Sequence, residues 1–285
     1  MAADDSPRVP DDPRAPLLTA ELAKYIVVVV PMIGGAGTRD ERASLDVSAP
    51  GSGTCVLIGG RYFIATAAHV IVDRPPERHF IVTATPTDRG LPIVGGGHRS
   101  SPTHDVGWLE LDPTAAKHAE RTFLDLARMR SHCNGVGEAV VVCGAPVSKQ
   151  TRDDEPGSLP LITSNAEWFP VKALSDAFSL GGVEPHADHL YLEWPRRRRD
   201  GSENPEPYGI SGGGVWATNL EASPWRANGA QLIGIENAVV RTRVPERYLK
   251  ACQIQVWLAM VAEDVPALAP EIAPIISAGR HWSKH

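Results

Sequence analysis

Gly53-Thr54-Cys55-Val56-Leu57-Ile58, the turn Gly59-Gly60-Arg61 and Tyr62-Phe63-Ile64-Ala65-Thr66-Ala67-Ala68-His69-Val70 decide the fold class. Two short apolar runs around a glycine turn predict a β-hairpin, Thr54 to Ile58 pairing with Tyr62 to Thr66. Upstream, Lys24 to Ile33 is β-branched, short and closed by Gly34-Gly35, so it reads as a buried strand. Phe80 to Thr85 is another candidate strand, and Val106 to Leu111 runs towards Asp112-Pro113. These strands define a first all-β unit, residues 20–115, after a polar N-terminal segment, residues 1–19. Ala115 to Arg130 spaces Ala119, Phe123, Leu126 and Met129 as a helical or irregular connector would, and residues 116–134 form the boundary. Beyond it, Ala139 to Cys143, Leu159 to Thr163, His189 to Trp194, Gly213 to Ala217 and Gln231 to Val240 predict a second β unit, residues 135–262. Ile254 to Val261 closes it as a helix with Val256, Trp257, Met260 and Val261 inward. Residues 263–285 hold three prolines and read as a tail, extended or laid on the surface.

The composition narrows the class. The 285 residues are 42% hydrophobic, in short runs, which suits a soluble globular protein with a sizeable core. Its 26 glycines and 25 prolines exceed average usage and predict many turns. No apolar stretch is long enough to cross a bilayer, and Met1 to Pro16 is polar where a signal peptide would be basic and then apolar. A net charge of -6 offers no general attraction to nucleic acid or anionic membranes. Cys55, Cys133, Cys143 and Cys252 lie far apart, without zinc spacing or disulfide density, and read as reduced thiols of a cytoplasmic protein. Arg196 to Arg199 reads as a solvated loop, one that can also border a cleft and bind an acidic partner. His186 and His189, with Asp188 between, have metal-like spacing but no further ligand with matching spacing, so neither metal nor cofactor is expected.

Three segments carry chemistry when taken together. His69 follows a strand directly, behind small residues that leave room for an imidazole. Asp105 heads an apolar strand, where burial can hold a carboxylate against a ring nitrogen. Ser211 lies in Tyr208-Gly209-Ile210-Ser211-Gly212-Gly213-Gly214-Val215, a glycine turn before a strand. A serine hydroxyl is a weak nucleophile until an imidazole takes its proton, and the imidazole needs a carboxylate to fix its tautomer. Glycines let the backbone turn sharply and aim N–H groups at one spot, so the amides of Gly209 and Ser211 are candidates for an oxyanion hole.

In the order His, Asp, Ser, these motifs resemble the trypsin/chymotrypsin-like serine protease family over roughly Tyr25 to Val261. The resemblance implies an all-β fold of two packed six-stranded antiparallel β-barrels with a C-terminal helix. It implies a serine endopeptidase with His69, Asp105 and Ser211 as its triad, acting on proteins or peptides through an acyl-enzyme. Gly209 to Gly213 also fits the nucleophile elbow of α/β-hydrolases, but that fold needs acid and histidine after the serine, where only His281 and His285 remain. Pro205 and Pro207 also do not suit a central strand feeding an elbow.

The chain departs from secreted, zymogen-activated relatives in two places. Ile210 stands where they carry an Asp that pairs with a new N-terminus, and Val70 stands where a cysteine follows the histidine. Both departures fit an intracellular, bacterial-type relative restrained by a regulatory protein partner. The resemblance also puts Pro205, Asn237 and Val239 at the substrate pocket, which predicts a neutral, shallow pocket for apolar side chains unless Glu203 or Glu206 reaches it. The competing expectation is a latent or silent protease-like binding module within a larger complex.

Overall fold

The computed structural model describes residues 13–33, 44–45, 50–71, 79–82, 91–92, 98–131, 139–147, 150–153, 161–164, 167–173, 186–194, 196–197, 203, 206–241 and 247–280. Helix α1 (Ala15–Ala23) leads into β1 (Ile26–Ile33), β2 (Ser44–Leu45), β3 (Gly51–Ile58) and β4 (Arg61–Thr66). The single-turn α2 (Ala68–Ile71) precedes β5 (His79–Val82), β6 (Leu91–Pro92), β7 (His98–Ser101) and β8 (Val106–Leu111), and α3 (Pro113–His118) begins the connector. The second unit holds β9 (Val140–Gly144), β10 (Gln150–Asp153), β11 (Leu161–Ser164), β12 (Glu167–Ala173), β13 (His189–Trp194), β14 (Gly214–Ala217), β15 (Gln231–Arg241) and β16 (Arg247–Gln253). Helices α4 (Ile254–Asp264) and α5 (Ala269–Arg280) follow.

The second unit closes as a six-stranded antiparallel barrel, β12-β13-β16-β15-β14-β9, with β10 and β11 as a separate hairpin. The first is an eight-stranded antiparallel sheet in the order β6-β5-β1-β3-β4-β8-β7, with β2 on β1. It therefore carries two more strands than expected, the two-residue β2 and β6. The architecture is the trypsin-like pairing of two β units with a C-terminal helix, to which α5 adds a second helix.

Consecutive residues of the central strands enter different cores, which is why their apolar runs are continuous. In β4, Phe63 and Ala65 join a cluster between the two units, whereas Ile64 packs with Val27, Val29 and Leu109 inside the first. In β9, Val140 and Val142 point into the second barrel, and Val141 and Cys143 into the shared cluster. Alternation thus persists with both faces buried. Helix α4 seals the shared core with Trp257, whose Nε1 donates to the Gly107 carbonyl at 3.0 Å. Asp264, at its end, accepts from Trp108 Nε1 at 3.1 Å and pairs with Arg99.

The expected tail is largely helical. Leu268 and Ile272 are buried in the shared cluster, and Leu268 abuts Gly59 of the β3–β4 turn. The prolines are compatible with helix here because Pro266 opens a short 3-10 turn and Pro270 lies in the first turn of α5, where amides lack partners anyway. Only Pro274 lies inside.

Helix α1 crosses the boundary expected at residue 19. Leu18 and Leu22, one turn apart, are fully buried, each contributing about 1.5–3 kcal/mol relative to exposure. Glu21 accepts from Lys24 Nζ at 2.9 Å, the Tyr25 hydroxyl at 2.9 Å and Arg128 Nη1 at 2.8 Å, tying the helix to the connector. Burial acts to raise its pKa, but these hydrogen bonds outweigh it and hold the carboxyl down at about 2. A depressed carboxyl stabilises the fold above its ordinary range and loses that contribution as pH falls from there through about 2. Urea midpoints of Glu21→Gln are therefore expected below the parent's at pH 7 and close to the parent's near pH 2; equal gaps at both pH values would refute this.

Candidate active site

His69, Asp105 and Ser211 come from three separate elements: His69 and Asp105 meet directly, and Ser211 sits on a turn of the second unit that is bonded to β3 of the first. Strand β4 ends at Thr66, and the buried Ala67 and Ala68 carry the chain to His69 in α2. The imidazole Nδ1 lies 3.0 Å from each carboxylate oxygen of Asp105, and the His69 amide donates to Asp105 Oδ1 at 3.0 Å. Both facing atoms are acceptors, so Nδ1 carries the proton and the neutral ring presents Nε2 as a lone pair. The His69 side chain is 51% exposed and Asp105 25%, so the acid is the more enclosed of the two.

Asp105 has φ +49, the left-handed region, which costs on the order of 1–3 kcal/mol for a non-glycine residue and persists only where surroundings impose it. One such restraint comes from the second barrel, where buried Asn237 in β15 donates from Nδ2 to the His104 carbonyl at 2.7 Å. Asn237, expected in the substrate pocket, thus anchors the loop bearing Asp105.

The turn carrying Ser211 is held on almost every side. The carbonyls of residues 208–213 accept, in order, from Val147 N, Ser52 Oγ, Gly213 N, Ser52 N, Thr54 Oγ1 and Glu236 N. The amides of Ile210, Gly212 and Gly213 donate to Pro207, Glu236 and Ile210 carbonyls. Among the described residues, the amides of Gly209 and Ser211 have no acceptor. Gly209 and Gly212 adopt φ +88 and +93, which favour glycine. Ile210 is fully buried in the second barrel's core.

Pro205 lies outside the described residues. Val239 packs partly buried against the second barrel's core. Glu203 and Glu206 are both exposed, and Glu206 is held by Arg247 Nη1 at 2.6 Å. The acid beside Ser211 is Glu236, which sequence reasoning passed over. It is 0% exposed, and burial pushes its pKa up to about 8 against the opposing pull of the Ser211 hydroxyl and the Ala238 amide, which face the carboxyl. Its signal was an acid interrupting the apolar run Leu232-Ile233-Gly234-Ile235.

The His186–Asp188–His189 segment gains a third imidazole from the loop bearing Asp105, since His104 Nε2 lies 3.2 Å from Asp188 Oδ2. Burial and then Lys250 push His189 down to about 4. Among the described residues no group of three His, Cys, Asp or Glu side chains is arranged to hold a metal ion. Arg196 and Arg197 are exposed, whereas Arg198 and Arg199 lie outside the described residues. No helix among the described residues is long and apolar enough to cross a membrane.

No family model matches the chain, and no curated protein matches it. Among solved structures it is similar to a crystal structure of the scabies mite inactivated protease paralogue S-I1, at 12% identity and a TM-score of 0.51, over 86% of this chain and 96% of that one. At that identity the likeness establishes a protease-like fold.

Proposed function

We propose that the chain is a serine endopeptidase. The observation that carries this reading is the His69–Asp105 pair beside a rigid turn that presents Ser211 with two unengaged amides. In the proposed reaction the Ser211 hydroxyl oxygen bonds to the carbonyl carbon of the cleaved peptide while His69 Nε2 takes its proton. The negative charge that develops on the carbonyl oxygen is received by the Gly209 and Ser211 amides. His69 then gives its proton to the departing amine, and water releases the acyl group by the same steps. Asp105 holds the ring orientation and stabilises the imidazolium.

The second reading, a silent protease-like binding module, draws on the neighbour's description as inactivated. The intact set of three side chains favours catalysis. Cytoplasmic placement belongs to the same proposal and draws support from Cys55, Cys143 and Cys252, buried free thiols, of which burial pushes the first two up to about 12. A restraining protein partner completes it, because an unrestrained protease would damage its own cell.

A fluorophosphonate probe tests the proposal. The parent should be labelled at Ser211 and Ser211→Ala should not; an unlabelled parent, or equal labelling of both, would overturn it.

A further inference from the structure

We propose that Glu236 selects the substrate, its carboxyl receiving a lysine or arginine side chain from the residue immediately before the cleaved bond. This inference rests on the endopeptidase reading and names the substrate class of that site.

The backbone of Glu236 is bonded to the nucleophile turn in both directions: its amide donates to the Gly213 carbonyl at 2.9 Å, and its carbonyl accepts from Gly212 N at 2.7 Å. Its neighbour Ile235 packs into the cluster between the units, so Glu236 faces the other way. Its cross-strand partner in β16, Ala251, belongs to the second barrel's inner cluster. The carboxyl therefore lies on the second-barrel side of the turn, where the Ser211 hydroxyl, the Asp105 carboxylate, the Ala238 amide and the Lys250 ammonium act on it.

A buried carboxyl without an opposite charge beside it is costly, and an apolar side chain of similar size would fill the space without that cost. The Ser211 hydroxyl and the Ala238 amide bring no opposite charge and Lys250 acts on the carboxyl only weakly, so a buried acid beside the nucleophile points to a cationic partner that arrives with the substrate.

Attack by Ser211 fixes where that partner comes from. The carbonyl carbon joined to Oγ belongs to the residue before the cut, so that residue's side chain starts within a few bonds of the turn. Lysine and arginine combine an apolar stem with a cationic tip, matching a site with buried walls and one acid. An acidic side chain would meet Asp105 and Glu236 together, and an apolar one would leave the carboxyl without an opposite charge.

The expected pH effect follows from the same groups. Ser211 from the turn, Asp105 from the loop before β8 and Lys250 from β16 face the carboxyl, which burial holds up at about 8. An arriving cation favours the ionised form, so binding releases a proton near neutral pH and tightens as pH rises through about 8.

The test uses peptides differing only in the residue before the cut, namely arginine, lysine, citrulline and norleucine, with rates counted per fluorophosphonate-labelled Ser211. The parent should prefer arginine or lysine over citrulline and norleucine by about 100-fold or more in kcat/KM, and Glu236→Gln should reduce that ratio to below about tenfold. A parent without the preference, or a variant that keeps it, overturns the proposal. A parent that the probe does not label defeats the endopeptidase reading instead. Binding of benzamidine, a small aromatic cation, then decides the cation site: binding lost in Glu236→Gln supports it, and no binding or equal binding overturns it.

Discussion

Peptide hydrolysis should fall by about 10⁴- to 10⁶-fold when His69 is replaced by alanine, and replacing Ser211 as well should lower it little further. The reason is that the hydroxyl and the imidazole act in one step, so losing either removes the same proton transfer. The geometry adds a distinction between variants of the acid. Asp105 both orients the His69 ring and accepts from the His69 amide. Asp105→Ala should therefore shift the position of α2 as well as free the ring, whereas Asp105→Asn keeps an acceptor for the amide but offers the ring an N–H in place of a second acceptor, favouring the wrong tautomer. Both should lose activity, with thermal unfolding closer to the parent in the asparagine variant. Turnover per folded molecule on one peptide cleaved by the parent is the measurement. A His69→Ala rate within tenfold of the parent's would mean that another base serves Ser211.

Much of this site could be read in the sequence because each part is local. The hairpin and the small residues before His69, the strand after Asp105 and the glycines around Ser211 each occupy one short stretch, and the strands β8 and β13 match their expected bounds. What escaped is of two kinds. Some elements were hidden by their own composition. Strand β16 buries Tyr248, Leu249, Ala251 and Cys252 in pairs, so it shows no simple alternation, and α5 carries prolines that read as breakers although Leu268, Ile272 and Ile276 recur every fourth residue. Other features depend on contacts between distant segments. Asn237 reaches the His104 carbonyl from the other barrel, and Glu236 meets the nucleophile turn only once β14 and β15 pair. A linear reading could see an acid within an apolar run, but only the register shows that it lies beside Ser211.

Gly212→Ala should destabilise the protein by more than about 4 kcal/mol, enough to threaten a fold whose total stability is of order 5–15 kcal/mol. A Cβ at Gly212 would overlap the Ser52 carbonyl oxygen and Thr66 Oγ1 and come within 2.9 Å of the Ser52 carbonyl carbon. None of these atoms is free to retreat. The Ser52 carbonyl accepts from Thr66 Oγ1 at 2.7 Å, the Ser52 amide donates to the Ser211 carbonyl at 2.7 Å, and Gly212 N is held by the Glu236 carbonyl at 2.7 Å. Relief would pull β3 away from the nucleophile turn and open the seam on which the site is built. The φ of +93 adds backbone strain, and Gly60→Ala separates the two contributions. Gly60 has φ +75, yet a Cβ there meets nothing within 4 Å, so only the left-handed cost of roughly 1–2 kcal/mol should appear. Urea unfolding of both variants measures the difference. Midpoints that coincide would mean that the turn yields without cost, in which case the rigidity that holds the Gly209 and Ser211 amides in place would have to come from elsewhere.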